Sequence, residues 1–242
     1  WTIPLSGTSV ADIQEEIAVT GSFENPTIGS PIQPTKKSIY EYDAINQVYS
    51  NFPKTGNSAD SDFALGTGYS IFVLGSANEP DIIDVTGVPY IGDYVKPLEF
   101  TDSPTFEYNG WNLIGNPYLS PIGWDKIDPS RKVNMTNAIY MTDNLAVGGK
   151  ILRSYSNGIG VPSSTTNVLA SSQSFWVQAT GNNASITFKE SDKVKESFSL
   201  YKVAPINNLI RFVVSDTNGK SDEFVVRYRQ DATPNFDVEF DA

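Results

Sequence analysis

The segment Leu169-Ala-Ser-Ser-Gln-Ser-Phe-Trp-Val177 decides how the chain is organised, because a similar segment, Leu65-Gly-Thr-Gly-Tyr-Ser-Ile-Phe-Val73, stands 104 residues before it. Each segment begins with small and polar residues and ends in a short run of aromatic and β-branched residues. Such a run, bounded by turn-forming residues, is typical of a β-strand. We therefore expect two strands, each closing the interior of its own unit with a large residue, Phe72 in the first and Trp176 in the second.

Further matches occur in the same order in both halves of the chain, and their spacing drifts only by loop-sized amounts. Several matches in register indicate an internal repeat. We therefore predict a β unit at residues 1–108, a second copy at 109–197, and a C-terminal strand segment at 198–242. The matched pairs are Ile39-Tyr-Glu-Tyr-Asp43 with Ile139-Tyr-Met-Thr-Asp143, Tyr49-Ser-Asn51 with Tyr155-Ser-Asn157, Leu5-Ser6 with Leu119-Ser120, Asp12 and Ile13 with Asp125 and Ile127, and Trp1 with Trp111.

Short apolar runs with turn formers between them predict an all-β fold, organised as two tandem duplicated β-sandwich-like units plus a C-terminal β-hairpin. Asn218-Gly219 lies between the last two runs and is a strong hairpin signal. One short helix is expected near Val10 to Val19, where Ile13 and Ile17 stand four residues apart. The clearest runs are Tyr69–Leu74, Ser174–Gln178, Ser185–Lys189, Leu209–Val214 and Glu223–Tyr228.

The composition narrows the chemistry that the chain can perform. The 242 residues include no cysteine and no histidine. A Ser-His-Asp or Cys-His catalytic arrangement, a disulfide framework and a cysteine-based metal site are therefore excluded. We expect a protein that is not an enzyme, although an active site built from carboxylates alone stays open, because paired carboxylates can come from distant strands.

The formal net charge of −11 indicates that nucleic acid and anionic membranes are not the partners of this chain. No apolar stretch approaches the length of a membrane span, so membrane insertion is not expected. The chain opens at Trp1 without a methionine or a signal peptide. We expect it to be a mature or trimmed part of a larger protein.

The segment Asn109-Gly-Trp-Asn-Leu-Ile-Gly-Asn-Pro-Tyr118, followed by Ser120-Pro-Ile-Gly-Trp-Asp125, resembles a module of large secreted proteins of Bacteroidetes. Those proteins are cargo of the type IX secretion system, and many are cell-surface adhesins. The chain departs from the family pattern at Leu119, where proline is usual, and at Gly123-Trp124-Asp125, where Asp-Trp is usual. Asn137-Ala-Ile-Tyr140 is similar to a strand of that family.

The resemblance implies an extracellular or cell-surface location and contact with the type IX secretion machinery during export. The C-terminal residues support the same family, because Asp222–Tyr228 and Asp231-Ala-Thr-Pro-Asn-Phe-Asp237 look like the segment that precedes its C-terminal sorting domain. Residues 198–242 are accordingly expected to lie just before such a sorting domain.

Three aromatic residues around the Gly-Asn-Pro turn, Trp111, Tyr118 and Trp124, are candidate ligand-binding residues. Flat aromatic faces could form a stacking platform for a sugar ring. The alternative is a corner of the core, with Trp111 directed inward from a strand. The core corner is favoured, because large aromatic side chains are mostly buried.

Asp60 and Asp62 are candidate calcium ligands, since their carboxylates are spaced two residues apart in a loop near Asn57. The pattern lacks the remaining ligands of an EF-hand, and an ordinary solvated loop explains it as well. Calcium is the one cofactor that the sequence suggests, and no other is expected.

The function that these observations favour is a non-catalytic secreted module at the cell surface, serving adhesion or structure within a larger protein. The alternative is a carbohydrate-binding accessory module of a secreted enzyme, with a surface polysaccharide as its partner. In the second function, adding a polysaccharide should change the Trp fluorescence, and replacing Trp111 or Trp124 with alanine should remove that change. This result would distinguish the second function from the first.

Overall fold

A computed structural model describes residues 1–14, 17, 19, 23–24, 38–53, 56–57, 61–72, 83–102, 109–143, 151–195, 209–215, 217 and 221–228. The fold is all-β, as predicted, with several sheets and one short α-helix in the described part of the chain. None of the described helices is long and apolar enough to cross a membrane.

The described strands number nineteen, and most are five residues or shorter. Helix α1 covers Val10–Gln14, and the described residues also form 3-10 turns at Trp124–Lys126, Pro129–Arg131 and Glu190–Asp192. The strands are β1 (Leu5–Ser6), β2 (Phe23–Glu24), β3 (Ile39–Asp43), β4 (Val48–Asn51), β5 (Gly56–Asn57), β6 (Tyr69–Ile71), β7 (Val88–Pro89), β8 (Tyr94–Leu98), β9 (Trp111–Gly115), β10 (Ile122–Gly123), β11 (Lys132–Val133), β12 (Ile139–Asp143), β13 (Ile151–Ser156), β14 (Ile159–Val161), β15 (Val168–Leu169), β16 (Ser174–Gln178), β17 (Ala184–Phe188), β18 (Leu209–Ser215) and β19 (Ser221–Arg227).

The largest sheet has five antiparallel strands in the order β14-β13-β12-β16-β9. Its inner face contributes Ile114, Ile139, Tyr155, Phe175 and Val177 to the main core, and all five are buried. A three-stranded sheet, β11-β17-β8, supplies Ile186 and Phe188 to the same core. The main core therefore lies between two sheets, which is the layering of a β-sandwich.

A smaller sheet in the first half of the chain, β4-β3-β6, has the same local arrangement as β13-β12-β16. In both cases a hairpin is followed by a third antiparallel strand next to the first strand of the hairpin. The side-chain orientations agree only in part, because Tyr49 is half exposed whereas its sequence match Tyr155 is fully buried. The similarity covers a hairpin and one strand, and duplication of whole units stays a prediction.

The second core belongs to the first half of the chain and is built around α1. Asp12, in the first turn of α1, stabilises the start of the helix by accepting hydrogen bonds from the backbone N–H of Ser9 at 2.6 Å and from its hydroxyl at 2.9 Å. Ile13 is buried and Ile17 N donates to Ile13 O at 3.0 Å, so the predicted four-residue spacing is used. The other large members of this core are Ile3, Leu5, Val10, Ile39, Phe63 and Tyr69.

The boundary expected at residue 108 does not separate the two cores. Strand β8 pairs with β17 along its whole length, and Leu98 is part of the main core. Strand β8 precedes position 109 in sequence. It nevertheless packs with the second unit, because it completes the sheet that faces β16.

The predicted C-terminal hairpin is present as β18 and β19, which pair from Leu209–Arg227 to Ser215–Ser221. The connecting Asn218-Gly219 lies outside the described residues. Phe212 and Phe224 stack at 4.7 Å between ring centroids, and Arg211 Nη1 donates to Gly160 O at 3.1 Å. One face of the hairpin exposes Ile210, Phe212, Val214, Phe224 and Val226.

A buried ion pair joins two turns at the edge of the main core. Both terminal nitrogens of Arg131 donate to the carboxylate of Asp192 at 2.7 Å, and Asp192 also accepts from Lys189 N at 2.8 Å. The Asp192 side chain is fully buried, so its charge depends on Arg131 for compensation.

Replacing Asp192 with asparagine should lower the free energy of unfolding by about 3 kcal/mol, because the substitution leaves the Arg131 charge without its buried partner. Urea denaturation measures this change. The matched control is Asp93→Asn, which breaks the exposed pair with Lys189 at 3.1 Å and should cost less than about 1 kcal/mol. Equal losses in the two variants would contradict a stabilising role for the buried pair.

Candidate functional site

The segment Asn109–Tyr118 serves the architecture of the main core. Gly110 has φ +71° and lies so close to Ala179 that a Cβ would stand 2.1 Å from the carbonyl oxygen. Glycine is therefore required here for both conformation and space. Asn112 is buried and its amide nitrogen donates to Glu99 O at 2.9 Å and to Gly110 O at 2.8 Å, which holds the chain before β9 against the end of β8.

Asn116 is the polar centre of the Gly-Asn-Pro turn and is fully buried. Its amide nitrogen lies within hydrogen-bond distance of three carbonyl oxygens, those of Ser120 at 2.9 Å, Ala170 at 3.1 Å and Leu169 at 3.3 Å. Its oxygen accepts from Tyr118 N at 3.0 Å. One side chain thus ties the end of β9 to the segment that leads into β16.

Two of the three predicted ligand-binding residues are fully buried. The hydroxyl of Tyr118 donates to Gly92 O at 2.7 Å, and Lys193 Nζ lies 4.4 Å from the centre of its ring. Trp124 donates from Nε1 to Asn137 O at 2.8 Å and contacts Phe175 edge to face. Neither ring presents a face to solvent, so this geometry agrees with a core corner and offers a sugar no platform at these two rings.

Trp111 is the third of these residues, and it lies apart from the other two. It is half buried on the outer face of the five-stranded sheet, where it packs edge to face against Tyr140 at 5.2 Å and Trp176 at 6.5 Å. The expectation that Trp111 points inward is wrong, because the neighbouring Asn112 and Ile114 occupy the inner face of β9.

The interior roles assigned to Phe72 and Trp176 need the same correction. Phe72 is 59% exposed, and Trp176 stands on the outer face of β16 while Phe175 and Val177 are buried. Trp176 lies in the predicted strand, whereas β6 ends at Ile71, one residue before Phe72. In β16 the inward-facing residues are the neighbours of the expected one. In β6 the buried residue is Tyr69.

The calcium ligands predicted from sequence are only partly visible. Asp60 lies outside the described residues, and Asp62 is exposed and forms an isolated antiparallel bridge to Ser9. Within the described ranges no group of three or more acidic, histidine or cysteine side chains is arranged to hold a metal. Binding of calcium at Asp60 and Asp62 remains a prediction.

A cleft of about 440 Å³ lies where the outer face of the five-stranded sheet meets the sheet β4-β3-β6. One wall comes from the large sheet and carries Leu113, Thr142, Ser174 and Trp176. The opposite wall comes from the first half of the chain and carries Trp1, Tyr49, Tyr69, Ser70, Ile71 and Ile83. The volume falls within the range of roughly 300–1000 Å³ that is typical of small-molecule sites.

Aromatic contacts across the cleft hold its two walls together. Tyr42 meets Trp176 at 4.6 Å between ring centroids and 81° between ring planes, and Tyr49 meets Trp176 at 6.2 Å and 85°. These are edge-to-face contacts, which are among the favoured arrangements of aromatic pairs. No described ring stacks parallel on Trp176, and the indole stays partly exposed to the cleft.

Backbone hydrogen bonds at the end of the cleft fix the walls further. The segment 66–68 runs along the edge of β9, where Gly68 N donates to Leu113 O at 3.1 Å and Gly115 N donates to Gly66 O at 3.0 Å. Lys96 Nζ donates to Thr67 Oγ1 at 2.8 Å, which ties this segment to β8. The cleft is therefore formed by two parts of the chain that are joined by hydrogen bonds.

The polar groups of the cleft are the α-amino group of Trp1 and several hydroxyls. The amine donates to Tyr69 O at 2.7 Å and to Ser174 Oγ, and burial lowers its pKa to about 5. Among its described lining residues, none has a charged side chain, and the hydroxyl groups of Ser70 and Thr142 are exposed. Burial raises the pKa of Tyr49 above its usual value, so its hydroxyl remains a hydrogen-bond donor at neutral pH. Aromatic faces beside neutral hydroxyls can bind a ligand.

A second polar group lies beneath Trp124, centred on Lys132. Its ammonium is 4.0 Å from the centre of the Trp124 ring and bonds to the side-chain oxygen of Asn137. Burial lowers the pKa of Lys132 to about 8. Nearby, Asp125 accepts hydrogen bonds from Tyr155 and Asn167. These polar groups cover the edge of the core next to Trp124.

Replacing Asn116 with alanine should lower the free energy of unfolding by about 3 kcal/mol, because the buried carbonyls and the Tyr118 N–H would lose their partner. Urea denaturation at neutral pH measures the loss. Asn182→Ala changes an exposed turn asparagine and should shift stability by no more than about 0.5 kcal/mol. A loss in Asn116→Ala as small as that in the control would contradict the proposed role of the turn.

The stability of the wild type relative to Lys132→Met should rise between about pH 8 and pH 10. The folded pKa of Lys132 lies near 8 and its usual value is 10.5, so in this window the unfolded chain binds a proton that the folded chain does not. Urea denaturation at several pH values measures the difference. Lys126→Met, at an exposed neighbouring position, provides the baseline, and a wild-type advantage that stays flat relative to it would contradict the prediction.

Comparison of the chain with protein-family models, with curated proteins and with solved structures finds no match in any of the three.

Proposed function

We propose that this chain is a non-catalytic binding module that serves adhesion within a larger protein exported to the cell surface. The observation that carries the proposal is the cleft between the two sheets, which combines a partly exposed indole with neutral hydroxyls. A concave site with aromatic walls and a few polar groups is the usual form of a ligand-binding site.

The location is supported by the sequence. The segment Asn109–Tyr118 resembles a module of type IX secretion cargo, and export through that machinery to the surface follows as part of the proposal. The net charge of −11 fits a partner that is neither nucleic acid nor an anionic membrane.

The binding role is supported by how the cleft is held. Its walls are fixed by the contact between Tyr42 and Trp176 and by the hydrogen bonds of the segment 66–68 along β9. A site that is largely pre-formed loses little conformational freedom when a ligand enters, which favours affinity.

Fluorescent beads coated with the full chain should be retained on at least one surface in a panel of bacterial cells, matrix proteins and matrix polysaccharides. Retention should be lost in Ser70→Trp, which fills the cleft from an exposed position, because the binding surface is then blocked. Flow microscopy with albumin-coated beads as background measures retention.

The matched control is Ser6→Trp, which places the same ring at an exposed position of β1 outside the cleft lining and should keep full retention. Two results would contradict the proposed function. One is retention at background level on every surface, and the other is release of soluble products from a surface polymer by the chain.

A further inference from the structure

We propose that the cleft binds an uncharged polysaccharide chain, with one pyranose ring placed on Trp176 and its hydroxyl groups bonded by the opposite wall. The inference rests on the proposed binding function and adds the chemical class of the ligand. It also places the site at Trp176 and away from Tyr118 and Trp124, whose rings are fully buried.

The aromatic surface of the cleft fits the apolar face of a sugar ring. Trp176 and Trp1 are partly exposed on opposite walls, and Tyr49 is half exposed beside them. A pyranose presents a patch of C–H groups on one face, and such a patch packs against the electron-rich face of an indole. The ring planes of Tyr42 and Tyr49 make angles of 81° and 85° with the plane of Trp176. These rings therefore fix the orientation of the indole without stacking parallel to it.

The hydroxyls of the cleft fit the other faces of the same ligand. Ser70 lies on β6 and Thr142 lies on β12, so the two walls each carry an exposed hydroxyl. Hydroxyl groups donate and accept, as sugar hydroxyls do, and can pair with them directly or through water. A purely apolar ligand would displace the water from these groups without replacing its hydrogen bonds.

The charge distribution selects a neutral glycan over an acidic one. No charged side chain is found among the described residues that line the cleft, and burial lowers the pKa of the Trp1 α-amino group beside Tyr69 and Ser174 to about 5. At neutral pH a carboxylate or sulfate would therefore have no counter-charge there. The net charge of −11 also opposes the approach of a polyanion.

An extended peptide is a poorer fit to the same site. A peptide commonly binds a sheet by adding a strand to a free edge. At this cleft the adjacent edge of β9 is already bonded by the segment 66–68, through Gly66 and Gly68. The remaining lining offers side chains, which suits a ligand recognised by its faces and hydroxyls.

The test uses isothermal titration of the full chain with neutral hexasaccharides of glucose, xylose and mannose, and with hexagalacturonate as the acidic probe. At least one neutral hexasaccharide should bind, and hexagalacturonate should bind on the order of tenfold more weakly or not at all. Thermal unfolding of every variant confirms that it is folded before titration.

Two pairs of variants assign the binding to the cleft. Ser70→Trp and Thr142→Trp fill it from exposed positions and should weaken binding at least about tenfold, whereas Ser6→Trp should change it by less than about twofold. Trp176→Ala should abolish binding, and Trp111→Ala, which removes the adjacent ring outside the cleft lining, should retain it.

Failure of this inference is distinguishable from failure of the proposed function. The inference is overturned if no neutral hexasaccharide binds, if hexagalacturonate binds as tightly, or if Ser70→Trp and Thr142→Trp bind like the wild type. Bead retention that is lost in Ser70→Trp while no neutral hexasaccharide binds would keep the adhesion function and reject the glycan. Background retention on all surfaces would reject both.

Discussion

The edge-to-face contact between Tyr42 and Trp176, at 4.6 Å, is the interaction on which the arrangement of the two halves depends. It joins the outer face of the five-stranded sheet to the sheet β4-β3-β6, which would otherwise each expose aromatic side chains. Aromatic pairs of this kind contribute about 0.5–1.5 kcal/mol beyond their buried area. Together with the backbone bonds of the segment 66–68, the contact sets the spacing of the cleft walls.

Alternation predicted the strands well and their inward faces poorly. In Ser174–Gln178 the three central residues, Phe175, Trp176 and Val177, are all large and apolar, because one face of β16 meets the main core and the other meets Tyr42 and Tyr49. Period-two patterns identify the inward face only where the other face is solvated. Trp176 was therefore placed in the interior, although it lines the cleft. The cleft itself brings together residues that are far apart in sequence, and a local sequence pattern cannot predict such long-range contacts.

The most distinctive segment of the sequence has a structural explanation. Gly110, Asn112 and Asn116 each satisfy a backbone or packing requirement that few other residues could meet at their positions. In the sequence, the aromatic residues near this segment also fit a ligand-binding site. The buried hydrogen bonds of Tyr118 and Trp124 explain the same residues through the core. Distinctive local chemistry here belongs to the scaffold, and the proposed ligand-binding surface is formed by less distinctive residues such as Ser70 and Thr142.

The segment 66–68 has a consequence for how copies of the protein behave next to one another. The edge of a large sheet offers unpaired N–H and C=O groups to any neighbouring strand, which is a common start of aggregation. Here one edge of the five-stranded sheet is bonded by Gly66 and Gly68, and the opposite edge is the three-residue strand β14, whose Gly160 carbonyl accepts from Arg211. Both edges thus offer fewer free backbone groups to a strand of a neighbouring copy, which disfavours aggregation through the largest sheet.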